Sequence, residues 1–162
     1  MSQKIISSLC LLVLLISGNL AQAAISVDIT AEKEVVVVEN NKEIRKVFPA
    51  TETQAGEIIF FTVNYFNEGE QPVRNIQIDN PIPPSMTYIP GTVWGENSDI
   101  VFSIDHSKTF KKPSLLTYEV VDAQGKEIKK VASPEEYTDI RWIISEVAAG
   151  GKGQVGFKAR VR

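Results

Sequence analysis

The sequence predicts an all-β protein built as a two-sheet β-sandwich. Apolar residues alternate with polar ones in about nine short segments, and turn residues separate those segments at regular spacing. A single helical signal appears in the whole chain. Residues 56–91, GEIIFFTVNYFNEGEQPVRNIQIDNPIPPSMTYIPG, carry the clearest case, because they encode two strands and a rigid proline corner without interruption.

Residues 1–23 read as an export signal: Lys4 is the charged region, residues 5–16 are apolar, and Ala21-Gln22-Ala23 is a small-residue cleavage site. The apolar run is shorter than the ~20 residues a spanning helix needs. The chain has one cysteine, Cys10, and it lies inside this leader. Residues 24–162 therefore have neither a disulfide nor a thiolate nucleophile, and the fold must be held by its core. They are expected to form a single domain, with an amino-terminal strand and hairpin over residues 24–50 and the sandwich core over 51–162.

Ile25, Val27 and Ile29 alternate as a first strand. Residues 34–38 and 44–48 predict a hairpin turning at Glu39-Asn40-Asn41-Lys42-Glu43, with Glu32, Lys33, Glu34 and Glu39 as charges that discourage aggregation of the valine run. Gly56 opens the strongest strand. Ile59, Phe61, Val63 and Tyr65 lie on one face and Ile58, Phe60, Thr62, Asn64 and Phe66 on the other. Such a strand is expected at the centre of a sheet, its second face partly covered by loops or by the amino-terminal hairpin. Asn67-Glu68-Gly69-Glu70 is a turn, and Val73, Ile76 and Ile78 lead into the next strand.

Prolines 81, 83 and 84 remove amide donors and hold φ near −65°, so the segment from Asn80 to Ser85 predicts a stiff corner where the chain changes sheets. Met86 and Tyr88 resume the strand pattern up to a turn at Pro90-Gly91. Ile100, Phe102 and Ile104 mark another strand, and residues 115–121 and 128–131 a further hairpin. Ser133-Pro134-Glu135-Glu136 has the residues of one capped helical turn. Ile140, Trp142 and Ile144, then Val155, Phe157, Ala159 and Val161, mark the inner faces of the last two strands. Trp142 is the expected core anchor.

At pH 7 the net charge is −3 and the basic residues are scattered, which argues against binding nucleic acid through a basic face. The run Ser103-Ile104-Asp105-His106-Ser107-Lys108-Thr109-Phe110 resembles the Asp-box hairpin of sialidases, S-x-D-x-G-x-T-W. It predicts a structural turn in which Ser and Asp accept backbone amides and the aromatic packs beneath. His106 is the only histidine. Its neighbours Ser103 and Ser107 lie on the same strand-turn, where a serine-type triad does not assemble. No metal or cofactor is assigned; Asp79, Asp99 and Asp105 are the carboxylates most able to gather at one end of the sandwich. Glu135 and Glu136 sit on one element and cannot flank a glycosidic bond. Trp94, with Glu96, Asn97 and Asp99, is the candidate binding loop, and Tyr88 a further aromatic for stacking on a sugar.

Gly56-Glu57, Asn67-Glu68-Gly69, Asn80, Ile82-Pro83-Pro84-Ser85 and Thr87-Tyr88-Ile89 together resemble the core of a repeat domain of unknown function found in bacterial and archaeal envelope and surface proteins. The likeness runs over residues 25–162. Asn80 stands where that family usually has aspartate and Ser85 where it has glycine. The resemblance implies an immunoglobulin-like fold in which Gly56, Asn67, Gly69, Asn80, Pro83, Asp105 and Trp142 are structural. It also implies a non-catalytic module of the envelope or surface, here in one copy.

The expected function is thus binding without catalysis, in the periplasm or outside the cell, to an envelope protein or surface polymer. Two alternatives stand beside it: a carbohydrate-binding or adhesive domain, and a subunit that assembles with copies of itself by exchanging residues 24–48 as a strand.

Overall fold

A computed structural model describes residues 25–40 and 42–162. The export signal expected over residues 1–23 lies outside the described residues, as do Ala24 and Asn41. Eleven strands follow in order: β1 (Ile25–Glu39), β2 (Lys42–Pro49), β3 (Ile58–Asn67), β4 (Val73–Pro81), β5 (Met86–Tyr88), β6 (Trp94–Gly95), β7 (Ser98–Ser103), β8 (Thr117–Val121), β9 (Glu127–Val131), β10 (Asp139–Val147) and β11 (Lys152–Val161). The first sheet has the order β2-β1-β3-β11, with β5 and β6 both on the far edge of β11. The second is β4-β10-β7, and β8 and β9 form a separate ribbon. The only helical segments among the described residues are single 3₁₀ turns at Pro113–Leu115 and Pro134–Glu136.

The core fills with the alternating residues of four strands. Ile59, Phe61, Val63 and Tyr65 of β3 and Val155, Phe157, Ala159 and Val161 of β11 face Ile140, Trp142 and Ile144 of β10 and Ile76 and Ile78 of β4. Phe61 stacks on Phe157 at 4.9 Å between ring centroids. Trp142 lies 6.3 Å from Phe157, and Tyr88 of β5 lies 5.4 Å from Phe102 of β7. These contacts set β10 over β11 and β7 over β5, so strand order leaves β4 over β3. Trp142 is 0% exposed, and its indole N–H donates to the Trp94 carbonyl at 2.9 Å, which satisfies the one donor it carries into the core.

No strand of the second sheet lies opposite β1 or β2. Val27 and Ile29 pair directly with Tyr65 and Val63, so they share the inner face of the sheet. Yet Val27 is 50% and Ile29 51% exposed, because the narrower sheet ends at β4. Beyond Lys33, the last residue of β1 paired with β3, the β1–β2 hairpin continues past the sandwich.

β1 differs from the expectation of two separate strands: it is one strand of 15 residues. The charged stretch that reads as a break is satisfied sideways, since the Lys33 ammonium donates to the Glu52 carbonyl at 2.7 Å and to Glu57 at 2.9 Å. The hairpin also joins the edge of β3 and does not cover its second face. On that face Lys158 sits over the Phe60 ring at 4.5 Å, and the Trp94 indole lies against Gly156, where a Cβ would come within 2.8 Å of the ring.

The proline corner carries the chain from β4 in one sheet to β5 in the other, as its stiffness predicts. Pro83 accepts the Met86 N–H at 2.8 Å, and the Ile82 N–H donates to Thr138 at 2.9 Å. Gly56 has φ +89°, a conformation open to glycine, and its N–H donates to the Val161 carbonyl. At Pro134–Glu136 the Glu136 carboxylate accepts from the Ser133 N–H at 2.7 Å and from the Tyr118 hydroxyl at 2.6 Å.

Asn67 is wholly buried. Its Nδ2 donates to the Gln71, Val147 and Ala148 carbonyls, and its Oδ1 accepts the Gly69 N–H. One side chain therefore ties the β3–β4 turn to the β10–β11 turn. Trp142→Ala should destabilise the fold by about 3–5 kcal/mol and Asn67→Ala by about 1–3 kcal/mol, read from urea denaturation. Losses below ~1 kcal/mol at either position would contradict these roles.

Candidate functional site

The run from Ser103 to Phe110 folds as a side-chain-organised turn. Ser103 Oγ, fully buried, donates to Asp105 at 2.7 Å and accepts the N–H groups of Asp105 and Ser107. Asp105 in turn accepts the Thr109 N–H at 2.9 Å and the Thr109 hydroxyl at 2.7 Å. His106 and Ser107 both adopt positive φ, 57° and 63°, a strained pair for non-glycine residues. That strain is held from the next strand: Asp139, buried, accepts both the N–H and the hydroxyl of Ser107, and Thr138 Oγ1 accepts the His106 N–H. Phe110 lies beneath the Arg141 guanidinium, which is 3.8 Å from its ring centroid.

The hydroxyl and N–H of Thr109, followed by Ser103, hold the Asp105 carboxyl at about 2, below its usual 3.8. The Gln54 N–H and then Lys33 lower Glu57, and Tyr118 and then Ser133 lower Glu136.

A cleft of about 950 Å³ lies where the ends of β1, β3 and the β10–β11 turn meet the β6–β7 turn. Trp94, 42% exposed, Glu96 and Asn97 all line it, so three of the four loop residues singled out in the sequence come together there. Asn97 sits at φ 52° in the tight turn that presents them. Asn64 and Gln154 face the cleft as a hydrogen-bonded amide pair at 2.7 Å, and Ser26, Asp28, Glu146 and Lys152 add to its polar lining. Tyr65 crosses Gly153, which lacks the Cβ that would obstruct its ring, and its hydroxyl is pushed up by burial and by Glu96.

The structure departs from the remaining candidates. Asp99 does not line the cleft; it is ion-paired with Lys112. Tyr88 is buried against Phe102 and Tyr137 and offers no stacking surface. Asp79 forms a two-bond pair with Arg141 at 2.6 and 2.7 Å, so Asp79, Asp99 and Asp105 each have a separate partner. Among the described residues no three His, Cys, Asp or Glu side chains gather as a metal site. Asn80 is buried with its Nδ2 unpartnered.

Sequence reasoning missed Asp139, Asn64 and Gln154. Asp139 gave no signal, since it falls on the outward parity of β10 beside Arg141 and is buried by the Ser107 turn, and the amide pair depends on the register of β3 with β11. Three further residues, Val36, Val38 and Val47, are exposed on one face of the β1–β2 hairpin, with Val38 68% accessible.

No family model, curated protein or solved structure matches this chain.

Because the Asp105 carboxyl is depressed in the folded state, its contribution is complete above pH 3.8 and disappears as pH falls through about 2. The urea midpoint should therefore drop as pH is lowered from about 5 to about 2, and Asp105→Asn should flatten that decline. An Asp105→Asn protein with the wild-type pH slope would rule out this role for the turn.

Proposed function

We propose that the chain is a non-catalytic, exported module of the cell envelope or surface, an immunoglobulin-like sandwich that works by binding a protein partner. One observation carries the reading: the β1–β2 hairpin leaves the sandwich and presents Val36, Val38 and Val47 to solvent on one face. The register sets each valine opposite a charged residue, Arg45, Glu43 or Glu34, and exposed valines interleaved with charges on a projecting element suit a mixed apolar and polar contact with a partner. Two features support the non-catalytic part. The serines beside His106 are committed to Asp105 and Asp139, and the acids of the turns are held by backbone or cationic partners. Among the described residues no helix is long and apolar enough to cross a membrane. The motif likeness to the envelope repeat family and the leader reading support the location.

Val36→Lys combined with Val38→Lys should leave the circular-dichroism spectrum unchanged and remove the protein from cross-linked complexes on intact envelopes. Undiminished cross-linking would count against the hairpin as the binding element.

The cleft favours a second reading, recognition of a carbohydrate, because it combines an exposed indole packed against Gly156 with an amide pair and carboxylates. Trp142 is buried, so quenching of the exposed Trp94 would report a bound sugar directly. Titration with neutral oligosaccharides should quench it, and Trp94→Ala should abolish the response; silence across the set would remove this reading.

A further inference from the structure

We propose that the outer face of β3 and β11 is a trough for an acidic polysaccharide, bound lengthwise with a sugar ring stacked on Trp94. The inference rests on the carbohydrate reading of the cleft and names its ligand class, a linear chain that carries both carboxylates and hydroxyls.

The trough follows from strand parity. Because Phe61, Val63 and Tyr65 turn into the core, the residues between them turn outward, and register sets Phe66 beside Lys152, Thr62 beside Gly156 and Phe60 beside Lys158. The second sheet packs on the other side, so this face meets water: Phe66 is 40% and Ile58 37% exposed. Two depressions share it. The cleft at one end takes in Asn64, Phe66, Lys152 and Gln154, and a second of about 370 Å³ at the other end takes in Ile58, Phe60 and Lys158.

Only Thr62 and Gly156 separate the two along the row, and the Trp94 indole lies on Gly156. From Phe66 to Ile58 the row extends about 27 Å at the usual rise per residue, too long for one sugar and suited to an extended chain. An exposed indole partway along gives that chain a flat surface to stack on.

Charge names the polymer. The charged outward residues of β11 are all cations, Lys152, Lys158 and Arg160, and Arg162 joins them by donating to the Thr87 hydroxyl. Among the described residues none of the four is ion-paired with a carboxylate. The opposite flank is acidic. There β1 presents Asp28, Glu32 and Glu34, of which only Glu34 is ion-paired, with Arg45. The flanks lie two strand spacings apart, about 10 Å, with β3 as the floor. A chain of uronate rings suits both: its carboxylates meet the cations of β11, while its hydroxyls donate to Asp28 and Glu32 and bond the Asn64–Gln154 amides. A neutral glycan would leave the cations unanswered, and a nucleic acid would set phosphates against the acidic flank.

The test is quenching of Trp94 fluorescence in the intact protein by oligogalacturonates of increasing length, with cello-oligosaccharides and single-stranded DNA as comparisons. Long oligogalacturonates should bind at least about tenfold tighter than cello-oligosaccharides of equal length, with affinity rising as the chain lengthens and falling with added salt. Lys158→Ala with Arg160→Ala, at the end away from Phe66, should weaken long acidic chains by more than about tenfold and leave the shortest ones unchanged. Lys152→Gln, at the other end, should weaken short and long acidic chains alike, and circular dichroism checks the fold of each variant. Equal affinity for acidic and neutral chains, no gain with length, variants that bind as wild type does, or DNA that binds as tightly as the oligogalacturonates would overturn the proposal. Quenching by cello-oligosaccharides alone would keep the carbohydrate reading and remove this one, whereas silence toward every sugar would remove both.

Discussion

Two sheets of unequal width pack against each other, and the burial of every strand follows from how far the narrow one reaches. β10 covers β11, β4 covers β3 and β7 covers β5, so a dry interior forms only over that shared width. Within it the inward residues of β3, β10 and β11 are buried almost completely, around Trp142 and Phe157. Outside it the same alternation continues along β1, yet burial stops. The hydrophobic effect acts on area removed from water, and β1 and β2 have nothing opposite them to remove it.

The turns are held by polar side chains that replace missing backbone partners. Asn67 joins two turns from a buried position, Ser103 and Asp105 shape a third, and Asp139 braces it from the neighbouring strand. This division of labour suits a chain whose residues 24–162 contain no cysteine. Without cross-links, each turn must be specified locally, and short polar side chains do so by accepting amides that the ladders leave over.

Much of this was legible in the sequence. The period-2 runs around Trp142 and Phe157 read correctly as inner faces, whereas the strand of Phe61, apolar on both faces, read correctly as central in its sheet. The proline corner was equally clear, since three prolines permit few backbone paths. What could not be read was lateral. Lys33 looks like a strand end until Glu57 and Glu52 are beside it. Tyr88 looks available for a ligand until Phe102 and Tyr137 close over it. In the candidate site Trp94, Glu96 and Asn97 are neighbours in the chain and were found together, but Asn64 and Gln154 join them only through strand register. Sheet width is not written in any one strand, so the exposure of Val27 and Ile29 was invisible as well.

Two surfaces thus remain for recognition, a hairpin of exposed valines set among charges and a polar cleft beside an indole, on a body whose most complete burial lies in β3, β10 and β11. Amide hydrogen exchange tests that distribution most directly. The account predicts that the slowest amides lie in β3, β10 and β11 and that residues 34–48 exchange far faster in dilute solution. Slow exchange through the hairpin in dilute solution, with β3 among the fast amides, would contradict it.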